Sequence, residues 1–276
     1  MENTDRYVII KNEKTYLTFL DRLGDIYPHE SYLISTNIRS KQISEEDKNK
    51  MKKCFGMFLS KYIRGSVNSR VDPEIALQRV YELEVPFKAL TFNKGKEDEF
   101  TVPQEYIVSF ITCNPSNEIK VAMEHLKATN DILETLATSE NPEKSRNDLA
   151  HMNRDFRSER MKNTRHKWVD FDIDIPNINN NNIREEAKTI IRDVFKNTKV
   201  LKKDPDCIIV STNGGFHILL NKDYIKDNPN KLSNELTKSL KKSIEVKEVS
   251  YKKGGILIPL PGSLQYGVFE VLWENL

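Results

Sequence analysis

Three aspartates alternate with apolar residues in the stretch 168–175, whose sequence is WVDFDIDI. Successive side chains of a β-strand point to opposite faces, so Asp170, Asp172 and Asp174 are predicted to share one face. Carboxylates one strand step apart repel each other, and one of them normally stays protonated unless a cation lies between them. Hard divalent ions such as Mg²⁺ take oxygen ligands of this kind. The stretch therefore indicates a metal site, and the simpler alternative is a strand end that runs into an acidic turn.

A second group of polar residues lies in the stretch 207–220, CIIVSTNGGFHILL, where two apolar runs flank Asn-Gly-Gly. This pattern predicts a β-hairpin. If Asn213, Gly214 and Gly215 form a three-residue loop, Ser211 lies opposite His217 and both point to the same face. If the loop is Asn213 and Gly214 alone, Val210 lies opposite His217 and Ser211 points away. Only the first register gathers both polar side chains, and a cationic or hydrogen-bonding histidine there would suit a bound triphosphate.

The order of elements from about residue 168 is predicted to be strand, helix, strand, strand, helix, strand. The helices are predicted at 183–196 and at 229–242, where apolar residues recur at helical spacing. This β-α-β-β-α-β order is that of ferredoxin-like and RRM-like folds. Its first and third strands are neighbours at the centre of the sheet, so the acidic strand is expected to face the hairpin.

Residues 1–138 are predicted to form an N-terminal α/β module. Ser44 before two glutamates predicts a helix N-terminus, with the helix running to about Arg64. A strand at 105–111 leads through Asn114 and Ser116 into a helix that begins near Glu118. The start of that helix indicates either a phosphate site or, more simply, a helix capped by Ser116.

Residues 139–167 are polar and rich in cations, and they lead directly into the acidic strand. A run of this kind is usually a solvated linker or helix face, but beside a metal and phosphate site it would also serve as a polyanion-binding surface. We therefore treat it as a basic connecting segment. Its cations are Lys144, Arg146, Arg154, Arg157, Arg160, Lys162, Arg165 and Lys167.

The composition excludes several classes of protein. The 276 residues are 30% charged and 38% hydrophobic, as expected of a globular protein with a solvated surface, and the formal net charge is +2. No apolar run approaches the length of a membrane span, and the N-terminus lacks the pattern of a signal peptide. Cys54, Cys113 and Cys207 are far apart and form no Cys-x-x-Cys pair, which predicts an intracellular protein without a zinc ribbon. No P-loop motif is present, so no ATPase of that type is expected.

Three motifs together resemble the archaeo-eukaryotic primase superfamily, the primase-polymerases. The first is Phe171-Asp172-Ile173-Asp174. The second is the stretch 211–217, STNGGFH, with a serine, a glycine turn and then a histidine. The third is the stretch 257–264, LIPLPGSL, which is similar to the Leu-Pro-Gly-Ser segment near the end of the family's catalytic core. They occur in the family's order across about 100 residues of the C-terminal half, and the lack of a helicase or zinc module looks more like a phage or plasmid member.

The resemblance implies an α+β primase core in which residues 168–276 form an RRM-like catalytic module. Asp172 and Asp174 would then bind two divalent metals, Mg²⁺ or Mn²⁺, while Ser211 and His217 would contact the phosphates of the incoming nucleotide. The family also needs a third carboxylate on the strand after the second helix. Glu245 and Glu248 lie three residues apart on opposite faces, so only one can join the site. Glu270 is a more distant candidate, and we favour Glu248 as the third catalytic residue.

The leading hypothesis is therefore a DNA primase or primase-polymerase that transfers nucleotides from NTP or dNTP on a single-stranded DNA template. Its expected location is the cytoplasm, or the host cytoplasm if the chain is phage-encoded, with a separate replicative helicase as a further partner and no membrane association. One alternative is an RRM-like nucleic-acid-binding module, although aspartates on its open face would repel phosphate and Phe216 would point away from His217. The other alternative is an inactive replication scaffold.

Overall fold

The computed structural model describes residues 6–38, 43–55, 62–67, 73–92, 95–97, 99–138, 160–252, 256–265 and 269–276. Over these ranges the chain is a mixed α+β protein built on two antiparallel sheets. No helix in the described ranges is long and apolar enough to cross a membrane.

The secondary-structure elements of the described residues are numbered in chain order. The helices are α1 (Glu13–Leu23), α2 (Glu45–Phe55), α3 (Pro73–Tyr81), α4 (Glu118–Thr138), α5 (Asn181–Asn197) and α6 (Pro229–Leu240), with short 3-10 turns at Phe87–Leu90, Gln104–Tyr106 and Lys222–Tyr224. The strands are β1 (Glu30–Ile38), β2 (Tyr62–Val67), β3 (Thr91–Phe92), β4 (Phe100–Thr101), β5 (Ile107–Thr112), β6 (Ser116–Asn117), β7 (Trp168–Asp174), β8 (Cys207–Thr212), β9 (Gly215–Asn221), β10 (Glu248–Lys252), β11 (Leu257–Pro259), β12 (Leu264–Gln265), β13 (Phe269–Glu270) and β14 (Leu272–Asn275).

The first sheet is centred on β1, which pairs with β2 on one side and with β5 on the other, while the short β6 pairs with its first residues. Helix α2 begins as predicted, because the Asp47 N–H donates to the Ser44 hydroxyl at 3.0 Å. The prediction that this helix runs to Arg64 was wrong. The helix ends at Phe55, and Tyr62–Val67 is a strand whose backbone pairs with β1. Long-range pairing of this kind overrides a local helical pattern.

The second sheet has the strand order β10-β7-β9-β8-β14, and every neighbouring pair is antiparallel. The predicted order of elements, β-α-β-β-α-β, is observed from β7 to β10. Strands β7 and β9 are neighbours at the centre of the sheet, so the acidic strand does lie beside the hairpin.

The two faces of this sheet are buried in different ways. On one face Phe171 and Ile173 pack with the apolar residues of α5 and α6, including Ile191 and Leu236. On the other face Trp168, Ile208, Val210 and Leu219 pack against α1 and the first sheet. Because side chains alternate along β7, the three aspartates lie on this second face.

Strand β11 connects the two halves of the chain. Although it lies within 168–276, it pairs with β5 of the first sheet and extends that sheet at its edge. The predicted division into 1–138, 139–167 and 168–276 stays a prediction. Residues 139–159 of the connecting segment lie outside the described residues.

Candidate metal and nucleotide site

The hairpin register decides which side chains meet at the centre of the second sheet. Val210 pairs with His217 and Ser211 pairs with Phe216, so the loop between the strands is Asn213 and Gly214. The three-residue loop was therefore the wrong choice. Ser211 shares a face with Phe216, which packs among the helices, and it does not join His217.

Gly215 explains why the shorter loop is formed. It belongs to β9, where it pairs with Asp174, and its φ of 149° is rarely adopted by residues with a side chain. A Cβ atom added there would lie 1.8 Å from the carbonyl oxygen of Ile173. The glycine thus allows close approach of two strand backbones, and it is not a turn residue.

His217 lies directly opposite Asp172, as the neighbouring strands require. Its Nε2 atom is 3.7 Å from Oδ1 of Asp172, and its Nδ1 atom is 3.0 Å from Oδ2 of Asp170. The imidazole ring therefore bridges two carboxylates of the acidic strand. Asp170 holds the Nδ1 edge, so the Nε2 edge is directed toward Asp172.

Asp170 is completely buried, with 0% of its surface exposed. The side chain therefore has no contact with solvent. Its Oδ1 atom has no hydrogen-bond partner within the described part of the chain. A buried carboxylate with one unsatisfied oxygen is costly, and such groups occur where function requires their charge.

The charge of His217 follows from these contacts. Burial alone would lower the pKa of the imidazole, but the charge and hydrogen bond of Asp170, reinforced by Asp172, outweigh it and leave the pKa raised. Lys252 acts in the opposite direction. His217 thus keeps its proton to higher pH than an ordinary histidine, and the imidazolium is suited to an anionic ligand.

Lys252 is a residue of the candidate site that the sequence reasoning missed. It lies opposite Asp170 on β10, and its Nζ atom donates to Oδ2 of Asp172. Burial alone would lower the pKa of this ammonium group, but the contact with Asp172 raises it overall. The signal was available in the sequence, because Lys252 is four residues after Glu248 and shares its strand face.

The third carboxylate is best placed at Glu248. It lies directly opposite Asp174, the exposed last residue of β7. Glu245 precedes β10 and is exposed. Glu270 belongs to the separate β12–β13 ribbon, where it accepts a hydrogen bond from Asn12 at 2.9 Å. The structure thus brings Glu248 to the acidic strand and leaves the other two candidates away from it.

The donor set fits a hard divalent cation, although the side chains are not drawn tightly together. No group of three His, Cys, Asp or Glu side chains within the described ranges is close enough to hold a metal. Asp174 and Glu248 nevertheless face each other as like charges, an arrangement that a cation would relieve. At Asp172 an ammonium group already occupies the position of a counter-ion. Carboxylate oxygens of this kind are ligands for Mg²⁺ and Mn²⁺.

At the start of α4, where the sequence indicates either a phosphate site or a cap, protein groups accept from two of the N–H donors. Asn117 caps the helix by accepting from the Lys120 N–H at 2.9 Å, and the Glu118 N–H donates to the carbonyl of His29 at 2.8 Å. The predicted cap, Ser116, instead contacts the hydroxyl of Thr164.

The basic connecting segment is only partly described, and its described cations have structural partners. Arg160 pairs with Glu118 at 2.6 Å, and Arg165 pairs with Glu30 at 2.7 Å. Lys167 donates to the carbonyl of Leu23 and lies over the Trp168 ring. These three side chains thus anchor the segment that precedes β7. Lys144, Arg146, Arg154 and Arg157 lie outside the described residues, so the predicted polyanion surface there stays a prediction.

Comparison of the chain with protein-family models, curated proteins and solved structures found no match. The function proposed below is therefore supported by the geometry of the site alone.

Proposed function

We propose that the chain is a metal-dependent nucleotidyltransferase of the primase-polymerase type, acting with NTP or dNTP on single-stranded DNA. The observation that carries the proposal is the line of charged groups across the central strands of the second sheet. Asp172 lies opposite His217, and Asp170 contacts the Nδ1 atom of that histidine. Glu248 lies opposite Asp174 at the end of β7. Four acids, with His217 and Lys252 as two cations, lie on one sheet face and suit a ligand that combines phosphates with metal ions.

The roles of the side chains follow from their positions. Asp172, Asp174 and Glu248 would hold the metal ions, which supply charge stabilisation at the attacking and leaving oxygens when bound. His217 would donate from Nε2 to a phosphate oxygen, with Asp170 as its positioning residue. Lys252 would leave Asp172 and add its charge to the phosphates. Ser211 has no role in this proposal, because it faces the helices.

The geometry favours this function over an RRM-like RNA-binding module. Such modules stack bases on exposed aromatic side chains of the central strands. Here Phe171 and Phe216 are buried against the helices, and the opposite face carries Asp170, Asp172 and His217. A bare acidic face would repel RNA, whereas the same face with bound metals would attract a triphosphate.

Incorporation of labelled nucleotides tests the proposal. Purified protein is incubated with Mg²⁺ or Mn²⁺, a single-stranded template and either NTP or dNTP, with and without a primer. We expect product from the wild type and none from Asp172→Ala/Asp174→Ala. Absence of product from the wild type in every condition, or equal product from the variant, would leave the inactive scaffold as the better description. A helicase partner and a cytoplasmic or host-cytoplasmic location belong to the same proposal.

A further inference from the structure

A basic cavity of about 860 Å³ lies at the end of the second sheet that is opposite to Asp174. It is lined by the C-terminal half of α5, by the loop that follows this helix, by Lys226 and by Leu276. Strand β7 has seven residues, so the two ends of the sheet are separated by about 20 Å. The cavity is therefore distinct from the site around Asp172.

The lining of the cavity carries six cationic side chains and one acidic side chain, Asp204. The cations are Arg192, Lys196, Lys199, Lys202, Lys203 and Lys226. Among the described residues, the only one of these six in an ion pair is Arg192, which lies 3.2 Å from Glu274. The five lysines concentrate positive charge on a chain whose formal net charge is only +2.

Stabilisation of a helix end does not account for this cluster. Cations are favourable near a helix C-terminus, which is a sufficient reason for Lys196 alone. Lys202 and Lys226 come from other segments, and backbone hydrogen bonds hold those segments together. The Lys202 N–H donates to the carbonyl of Tyr224, and the Lys226 N–H donates to that of Val200, both at 2.8 Å. Like charges are thus fixed side by side, which costs free energy unless an anion binds there.

The basic surface continues beyond the cavity. A groove of about 680 Å³ between α5 and α6 shares Thr198 and Lys199 with it and adds Lys238 and Lys242. The acids of this groove are Asp193 and Glu235. An extended surface of this kind exceeds the phosphates of a single nucleotide and suits a chain of phosphates.

We propose that this surface, formed by the cavity and the adjoining groove, binds the backbone of single-stranded nucleic acid. The choice of nucleic acid among polyanions rests on the proposed function, since a template-directed enzyme must hold a strand outside its reacting centre. The contacts are electrostatic and independent of base sequence. Binding at this surface would hold the template about 20 Å from Asp174, measured along the sheet.

Equilibrium binding of a fluorescent oligothymidine of about 20 nucleotides tests the proposal. The site variant is Lys199→Gln/Lys202→Gln/Lys226→Gln; all three lysines line the cavity, and Lys199 also lines the groove. The matched control is Lys88→Gln/Lys96→Gln/Lys120→Gln, which removes the same charge from exposed positions elsewhere. Each lost phosphate contact lowers the salt slope of the affinity by about 0.7, so we expect a slope about 2 smaller for the site variant. We also expect its affinity at about 0.1 M salt to fall at least about tenfold.

Several outcomes would overturn the proposal. Equal loss of affinity in the site and control variants would show that binding depends on total charge. Wild-type affinity in the site variant would place the DNA elsewhere. Displacement of the oligonucleotide by inorganic triphosphate at equal phosphate concentration, with no dependence on oligonucleotide length, would define a small-anion site. Binding by Asp172→Ala/Asp174→Ala separates this inference from the proposed function, because we expect that variant to bind like the wild type. If the wild type incorporates no nucleotide but only the site variant loses affinity for the oligonucleotide, the DNA-binding surface is supported and the enzymatic proposal fails.

Discussion

Replacing Asp170 by asparagine tests whether the buried carboxylate sets the charge of His217. The variant keeps the shape of the side chain, and its amide oxygen can still accept from Nδ1. It removes the negative charge that lies 3.0 Å from the imidazole. Asp170 is the leading influence that raises the pKa of His217, so this pKa should fall in the variant. The histidine would then be neutral over more of the working pH range.

The size of the effect follows from the loss of one charge-assisted hydrogen bond. Such a bond contributes about 1.5–3 kcal/mol and a neutral one about 0.5–1.5 kcal/mol, so the difference is about 1–1.5 kcal/mol. Since about 1.4 kcal/mol corresponds to a factor of ten, kcat/KM for nucleotide incorporation should fall about tenfold near neutral pH. The loss should become smaller as the pH is lowered, because acid restores the imidazolium.

Stability should respond differently from activity. The raised pKa means that the folded state binds the His217 proton more tightly than the unfolded state does. This contribution to stability is complete below the ordinary value of 6.5 and is lost as the pH rises through the folded value. The wild type should therefore gain thermal stability relative to Asp170→Asn as the pH falls toward 6.5. At alkaline pH the variant should be at least as stable, because it no longer buries a carboxylate with an unsatisfied oxygen.

The assays are an NMR titration of the His217 ring, the pH profile of kcat/KM and thermal unfolding at several pH values. Asp206→Asn is the matched control, since Asp206 pairs with Arg22 at the opposite end of the sheet and its loss should leave the His217 titration unchanged. An unchanged His217 pKa in Asp170→Asn, with kcat/KM within twofold of the wild type across the pH range, would refute the reasoning. The NMR readout holds even if the proposed activity is absent.

Three further substitutions address other parts of the site. Lys252→Met removes the ammonium group that contacts the carboxylate of Asp172. The lost Coulomb interaction is about 1 kcal/mol, so Mn²⁺ should bind about fivefold tighter when measured by calorimetry without nucleotide. Weaker Mn²⁺ binding would contradict this. Gly215→Ala should lower the free energy of unfolding by at least about 2 kcal/mol in urea, because of its positive φ and the backbone contact at 1.8 Å. A Cβ atom at Gly214 would meet only Oδ1 of Asp174, at an ordinary contact distance of 3.8 Å, so Gly214→Ala should cost less than about 1 kcal/mol. Glu248→Gln should reduce nucleotide incorporation at least about tenfold, whereas Glu245→Gln should stay within about twofold of the wild type. A larger loss in Glu245→Gln than in Glu248→Gln would identify Glu245, which precedes β10, as the third carboxylate.

The sequence was informative where one residue type repeats with a simple period. Alternation along 168–174 correctly predicted that three aspartates share one face. The glycines between two apolar runs correctly predicted a hairpin, which lies next to the acidic strand. It could not determine the register of that hairpin, because a shift of one residue reverses every side chain. The register depends on whether Gly215 belongs to the loop or lies in β9 against the backbone of Ile173. Ile173 is distant in the sequence, so the local pattern of the hairpin does not reveal this contact.

Two other features were hidden for related reasons. The helical spacing of apolar residues continues from Met51 to Tyr62, but Tyr62–Val67 pairs with β1 as a strand. Lys252 reaches Asp172 only because β10 pairs with β7, and these two strands are distant in the sequence. Local patterns thus defined the elements, and pairing between distant segments defined the site.

The pairing of β11 with β5 has a consequence for how the protein is made. Among the described strands, the neighbour on the outer side of β5 is β11, and its residues 257–259 follow more than half of the chain later. During synthesis the first sheet therefore presents an open strand edge, which is a template for association with other chains. A nascent or truncated chain that stops before β11 should be prone to aggregation, and completion of the second half protects the first.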